Sequence, residues 1–339
     1  MNKLTKVGCS ALCGSLAAIS AANAGDLTAT GGANLTWVST GGTVTGNPIG
    51  MASNVTFKGS GELDNGWGVA LSIAGADGGG YSNTNVTITL PGMGDLRIDQ
   101  GVSGTGIQRM DDMTPSVWEE ADGAGISAGI DKTLGVNSGT TIEVTPGEYM
   151  PAGLTARIAY SKDADSGVNV GDKGSGGDSG ALGSGFDLTL EATSDFHGVD
   201  GLTIYGGMSS IDKDTAVSTQ ADGVDEETLG ITYAMGGFTV GYQISKEDLG
   251  TNTAAQQYDN TGYGITFNVN DDLSVGYNNY ESDQTNSGGN VTTEAASFQV
   301  AYTMGGMSIR LAQASIDNAK YQTTTEYDRD ARTVSVSLA

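Results

Sequence analysis

The chain has 339 residues, 15 Lys and Arg against 40 Asp and Glu, and a net charge of −25. Such acidity excludes a nucleic-acid binder, which holds phosphates through clustered Lys and Arg. Its two cysteines, Cys9 and Cys13, both lie near the start, so no disulfide framework can hold the remainder together.

The first segment reads as an export signal. Lys3 and Lys6 form a basic start, Val7 to Ala21 is a small-residue apolar stretch, and Ala22-Asn23-Ala24 fits the A-x-A cleavage pattern. The stretch is shorter than the ~20 residues a spanning helix needs. Residues 1–24 are therefore expected to be cleaved between Ala24 and Gly25, leaving residues 25–339 as one domain. Lipidation at Cys13 is disfavoured because Leu12 precedes it, where a small residue belongs.

From Leu27 onward the chain alternates with a period of two. Leu27, Ala29, Gly31, Ala33, Leu35 and Trp37 fall on one side, with Thr28, Thr30, Gly32, Asn34 and Thr36 on the other. Val55, Phe57, Gly59, Gly61 and Leu63 oppose Asn54, Thr56, Lys58, Ser60 and Glu62, and the Asp64-Asn65-Gly66 turn leads into Trp67, Val69, Leu71 and Ile73. Val86, Ile88 and Leu90 meet Leu96 and Ile98 across Pro91-Gly92-Met93-Gly94. Ile142 and Val144 meet Leu154, Ala156, Ile158 and Tyr160, and Phe186 to Ala192 precedes Leu202 to Met208. Leu229 to Met235 turns at Gly236-Gly237 into Phe238 to Ile244. Tyr263 to Val269 turns at Asn270-Asp271-Asp272 into Leu273 to Tyr277. Ala296 to Met304 turns at Gly305-Gly306 into Met307 to Leu311, and Val334, Val336 and Leu338 close the chain. These make sixteen runs, joined by connections expected to alternate between short and long.

Charge decides what the alternation means. Lys58, Glu62, Asp95, Arg97, Asp99, Glu143, Arg157, Asp187, Glu191 and Arg310 all sit in the polar phase. Charge on a lipid-facing position costs ~2–4 kcal/mol near mid-bilayer, which accounts for its exclusion from the apolar phase. Glu227, Lys246, Glu294 and Arg332 break the rule just beyond the runs, where loop-side strand ends are expected and the penalty fades. A soluble sandwich also alternates, but these stripes are too rich in Ala and Gly to fill a dry core. Their polar faces suit a wet lumen.

The residues resemble those of the Gram-negative general porins, most closely the marine alphaproteobacterial type. The resemblance covers the whole chain. It rests on the signal segment, on Gly25-Asp26-Leu27-Thr28, and on Gly94-Asp95-Leu96-Arg97 before a long loop holding Met110-Asp111-Asp112-Met113-Thr114-Pro115-Ser116-Val117-Trp118-Glu119-Glu120. The echo of Tyr233-Ala234-Met235-Gly236-Gly237-Phe238 in Tyr302-Thr303-Met304-Gly305-Gly306-Met307 adds to it. It implies a sixteen-stranded antiparallel transmembrane β-barrel, a homotrimer, and a third extracellular loop folded into the pore. It also implies export through the periplasm to the outer membrane, among lipid and lipopolysaccharide. Such porins usually end in an aromatic residue, which the last stripe would place one position after Ala339.

So wide a barrel encloses a lumen that side chains cannot fill, and a loop must narrow it. The insertion from Gly101 to Ser138 carries Asp111, Asp112, Glu119 and Glu120 with Arg109. Folded inward, those carboxylates would form the acidic side of a constriction. Lys58, Arg97, Arg157 and Arg310 are the lumen-phase bases; the resemblance implies that they make the opposing side. The expected function is passive diffusion of small hydrophilic solutes and ions, with mild cation preference. A solute-selective porin and a non-conducting structural or adhesive barrel are the alternatives. Trp118 is a candidate loop anchor. Tyr160, Tyr233, Tyr242, Tyr263, Tyr277 and Tyr302 are candidates for interfacial girdles, and Tyr205 is the one tyrosine placed in a lumen phase.

An enzyme is not expected, because a lone histidine, His197, in a turn cannot supply a triad. No cofactor is expected. Gly174-Ser175-Gly176-Gly177-Asp178 resembles one calcium repeat, but the stacked copies of a calcium-binding adhesin are lacking. Weak calcium binding is limited to acidic loops such as Asp222 to Glu227.

Overall fold

A computed structural model describes residues 27–41, 47–77, 80–100, 104–123, 127–164, 182–214, 222–251 and 255–338. The cleavage site at Ala24 and Gly25, the Gly174–Asp178 segment and Ala339 lie outside them.

The period-two runs become strands that pair consecutively, each antiparallel to the next, and β1 (Leu27–Thr40) pairs with β16 (Arg329–Leu338) to close the barrel. Between them run β2 (Ile49–Glu62), β3 (Gly68–Ala76), β4 (Gly80–Leu90), β5 (Gly94–Asp99), β6 (Thr141–Pro146), β7 (Leu154–Ser161) and β8 (Leu182–Ala192). The second half comprises β9 (Leu202–Lys213), β10 (Val224–Met235), β11 (Phe238–Asp248), β12 (Ala255–Asn268), β13 (Leu273–Asn286), β14 (Gly289–Met304) and β15 (Met307–Asp317). Closure leaves no edge strand, so every backbone polar group at membrane depth can be satisfied by the ladder. The sixteen expected strands are all present.

Register carries the alternation around the wall. Leu229, Ile231, Tyr233 and Met235 stand opposite Ile244, Tyr242, Val240 and Phe238, and Phe238 stacks on Phe267 with ring centroids 4.3 Å apart. This stripe is exposed on the outside of the barrel, where a bilayer supplies its contacts. All six girdle tyrosines are on that outer face, 37% to 48% exposed. Glu227, Lys246, Glu294 and Arg332 face outward near the loop-side ends. Glu227 lies opposite Lys246, and Arg332 Nε donates to Gln313 Oε1 at 2.7 Å.

Turns follow their residues. Gly66 (φ +81°) closes the β2–β3 turn, where the Leu63 N–H bonds the Trp67 carbonyl. The β8–β9 connection, expected as a plain turn, contains one helical turn, Ser194–His197, ended by Gly198 in the left-handed region. The expected alternation of short and long connections is corrected between β13 and β14, where it predicts a long connection. β13 and β14 are 14 and 16 residues long and meet across a tight turn at Ser287-Gly288. Asn278 to Asn286 is polar on both faces, so no apolar stripe marks it as strand, yet the hydrogen-bond ladder runs on through it. The run Asp222 to Glu227 is likewise mostly strand. Alternation turns Glu226 inward and Asp225 and Glu227 outward, so it does not form the acidic loop suggested for calcium.

Candidate functional site: the loop inside the barrel

The insertion between β5 and β6 is long enough to cross the lumen, and the wall is built to receive it. One register row around the inside brings together Arg97, Glu143, Ala159, Asp187, Ser209, Glu226 and Glu247 on consecutive strands from β5 to β11. Three of its carboxylates accept hydrogen bonds from loop backbone. Glu143 takes the Gly106 N–H at 2.8 Å, Asp187 takes Ile107 N–H at 2.9 Å and Val136 N–H at 3.3 Å, and Glu226 takes Gly135 N–H at 2.8 Å. Both limbs of the loop are thereby pinned at one height by carboxyl groups of the wall. Glu143 also holds Arg109 of the loop at 2.5 and 2.6 Å.

Further round the wall, amide side chains do the pinning. Gln243 on β11 donates to the carbonyls of Met110 and Asp111, both at 2.9 Å. Its Oε1 accepts from Met113 N–H at 2.9 Å and Tyr205 OH at 2.7 Å. Gln299 on β14 accepts from Trp118 N–H at 2.9 Å and donates to the Glu119 carbonyl at 2.6 Å. On the return limb, Asn260 Nδ2 donates to the Asp131 carbonyl at 3.0 Å, and the Asp131 N–H bonds Tyr321 OH at 2.9 Å. Trp118 packs against Ala312 and Ala314 on β15, which makes it an anchor of the loop tip. Between these contacts the loop lies flush on glycines. A Cβ at Gly264 would collide with the Pro115 carbonyl oxygen, one at Gly241 with the Pro115 ring, and one at Gly276 with Val117.

The loop thus covers the arc from β6 to β15 and leaves the wall at β1 and β2 bare. Gln243, Ser245, Asn260, Asn278 and Gln299 are buried beneath it, whereas Thr28, Thr30, Asn54, Lys58 and Ser60 on β1 and β2 stay exposed to the lumen. Lys58 and Arg97 line one recess with Thr28, Ser72, Asn85 and Thr87. Arg97 pairs with Asp99 at 2.6 Å and donates to the Gly104 carbonyl. Arg157 on β7 and Arg310 on β15 stand at the margins of the covered arc, Arg157 near Arg109 and Glu143, and Arg310 near Glu119.

Among the acids, Glu119 and Glu120 reach solvent, and Asp112 does not. Its side chain is 1% exposed, accepts from the N–H and hydroxyl of Thr114 at 2.8 and 2.6 Å, and lies 3.9 Å from Lys132. Burial, outweighing the Lys132 charge and those hydrogen bonds, pushes Asp112 up to about 6. Asp111 and Glu119 are also raised, chiefly by burial and secondarily by neighbouring carboxylates. Lys132 itself escaped the sequence reading. Its Nζ sits 2.8 Å from Glu120, 3.0 Å from Asp122 and 4.8 Å above the Tyr280 ring. Burial alone would lower its pKa, but Asp122, Asp112 and Glu120 outweigh it and hold the ammonium above its ordinary value. Tyr258 and Tyr280, like Tyr205, face inward and are buried, so the placement of Tyr205 alone in the lumen is corrected. Tyr280 lies beneath the loop, its hydroxyl 3.4 Å from the Asp111 carbonyl. No group of three or more His, Cys, Asp or Glu among the described residues could hold a metal ion.

A closed strand barrel with an apolar outer stripe and a lumen narrowed by its own loop is a transmembrane channel. The profile of the Gram-negative porin family matches residues 8–320, and the chain belongs to that family. It is therefore an outer-membrane protein forming a channel for diffusion. Among solved structures, Salmonella typhi OmpF in complex with daunomycin superposes with a TM-score of 0.69 at 12% identity, covering 93% of this chain and 97% of that one. OmpT, an outer membrane protein of Vibrio cholerae, gives 0.64 at 11% identity over 92% and 97%. An anion-selective porin from Comamonas acidovorans gives 0.61 at 14% identity over 92% and 99%. At such identities the likeness concerns the fold. No curated protein matches the sequence.

Proposed function

We propose that the protein is a general diffusion porin with a mild preference for cations, acting as a homotrimer in contact with outer-membrane lipopolysaccharide. The observation that carries the preference is the division of charge across the lumen. Asp111, Asp112, Glu119 and Glu120 ride on the loop with Asp122, while Lys58 occupies the bare wall, Arg97 stands at its edge on β5 with Asp99 paired to it, and Arg157 and Arg310 stand near the ends of the covered arc. Asp112 contributes through its field, being buried; Glu119 and Glu120 meet the passing ion directly. Arg109, neutralised by Glu143, adds little to the basic side. With 40 acids against 15 bases in the chain, the balance favours potassium over chloride.

Reconstitution in planar bilayers tests the reading. A trimeric diffusion pore gives stepwise, triplet conductance and a reversal potential displaced toward potassium, more strongly at low ionic strength because salt screens the field. Chloride selectivity, saturable block by one solute, or silence would each count against it.

A further inference from the structure

The loop between β5 and β6 holds two bases in its sequence, Arg109 and Lys132. Glu143 of the wall takes the first, which leaves Lys132 as the loop's own base facing Glu120, Asp122 and Asp112. Its position is fixed from both sides: the preceding residue, Asp131, has its N–H held by Tyr321 and its carbonyl by Asn260, and the Tyr280 ring lies under the ammonium. The side chain is therefore aimed at Glu120, Asp122 and Asp112. Exposure is graded across this cluster. Glu120 is 43% exposed and Lys132 only 11%, so the carboxylate faces the water column with the ammonium behind it.

From this geometry we infer that Lys132 sets the strength of the ion preference, as a built-in counterion that cancels part of the acid cluster's field. The inference deepens the proposed cation preference and shares its site. The loop is already held by Gln243, Gln299, Asn260 and the wall carboxylates, so the ammonium is not required to seat it. Screened by salt of about 0.1 M and acting with opposite sign on cation and anion, one unit charge beside a wet pore alters their permeability ratio roughly twofold.

The test is reversal potential of the full-length, reconstituted protein in a potassium chloride gradient at low salt. Lys132→Met raises the cation-over-anion permeability ratio roughly twofold, Glu120→Gln lowers it, and the double variant returns it to the starting value. Lys132→Arg leaves it unchanged. A merely structural lysine would not be rescued by Glu120→Gln. The inference is overturned if Lys132→Met leaves the ratio unchanged or lowers it at unaltered conductance, or if the double variant behaves like Lys132→Met alone. Should Lys132→Met not insert, the double variant carries the test, and a twofold departure from the unmodified ratio overturns the inference. An unmodified channel that prefers chloride refutes the cation preference instead; the shift on Lys132→Met still decides the role of Lys132.

Discussion

Gly264 on β12 lies directly beneath the carbonyl oxygen of Pro115, so loop backbone rests on wall backbone with no side chain between them. Gly264→Val places branched carbons where that carbonyl stands, and neither partner is the far end of a flexible side chain. Overpacking of this kind costs about 1–3 kcal/mol. The expected result is a lifted loop: higher single-channel conductance, more current noise, and a lower unfolding temperature. Gly59 faces outward on β2 with nothing nearer to an added Cβ than the end of the Leu27 side chain, so Gly59→Ala serves as the control for a wall glycine that does not underlie the loop.

Gln243 makes four hydrogen bonds that join two strands to the outbound limb of the loop. Gln243→Ala leaves the Met113 N–H and the Tyr205 hydroxyl without that partner, a loss of about 1–3 kcal/mol for buried groups. Hydrogen exchange at Met113 should accelerate while the strand amides remain protected. Combined with Gln299→Ala, which frees Trp118 in the same way, the two effects should be non-additive, because both residues hold one loop.

Asp112 provides a pH handle outside the strands. Burial raises its pKa to about 6, above an ordinary carboxyl group. The folded loop thus binds this proton more readily than the unfolded chain. The resulting stabilisation is present at low pH and is lost as pH rises through about 6. The same proton removes a negative charge from the acidic side of the pore. Cation preference should therefore fall, roughly twofold, as pH drops from 7.5 to 5. Asp112→Asn should flatten that step; a step of unchanged size would assign it to another group.

Much of this architecture is legible in the sequence because a barrel wall is written in phase. Phe57 and Lys58 are neighbours of opposite character, and the structure turns one outward and the other into the lumen. Where the wall leaves hydrocarbon, as along Asn278 to Asn286, no apolar stripe is required and the strand becomes invisible to the pattern. The loop is harder still. Lys132 and Glu120 are twelve residues apart in a stretch without periodicity, so nothing local announces that they meet. Glu143, Asp187 and Glu226 are recognisable as inward positions, but their role as acceptors for loop N–H groups depends on a docking that only three dimensions reveal.

Lys58 is an exposed base on the bare wall, facing the lumen among hydroxyl and amide groups. Lys58→Gln should increase preference for cations, and Lys58→Glu should increase it further, with little effect on stability because no packing is disturbed. Reversal potentials measured at 0.1 M and again at 1 M salt, where the screening length shortens from about 10 to about 3 Å, should show the difference shrinking with salt.

Cysteine accessibility at two adjacent positions reads most directly whether the polar phase faces water and the apolar phase faces lipid. Cys9 and Cys13 are the only native thiols, so with both replaced the background is clean. In reconstituted membranes, a charged, water-soluble thiol reagent should label Lys58→Cys rapidly and alter the current, and should leave Phe57→Cys unlabelled. Labelling of Phe57→Cys with Lys58→Cys protected, or equal labelling of both, would contradict the account.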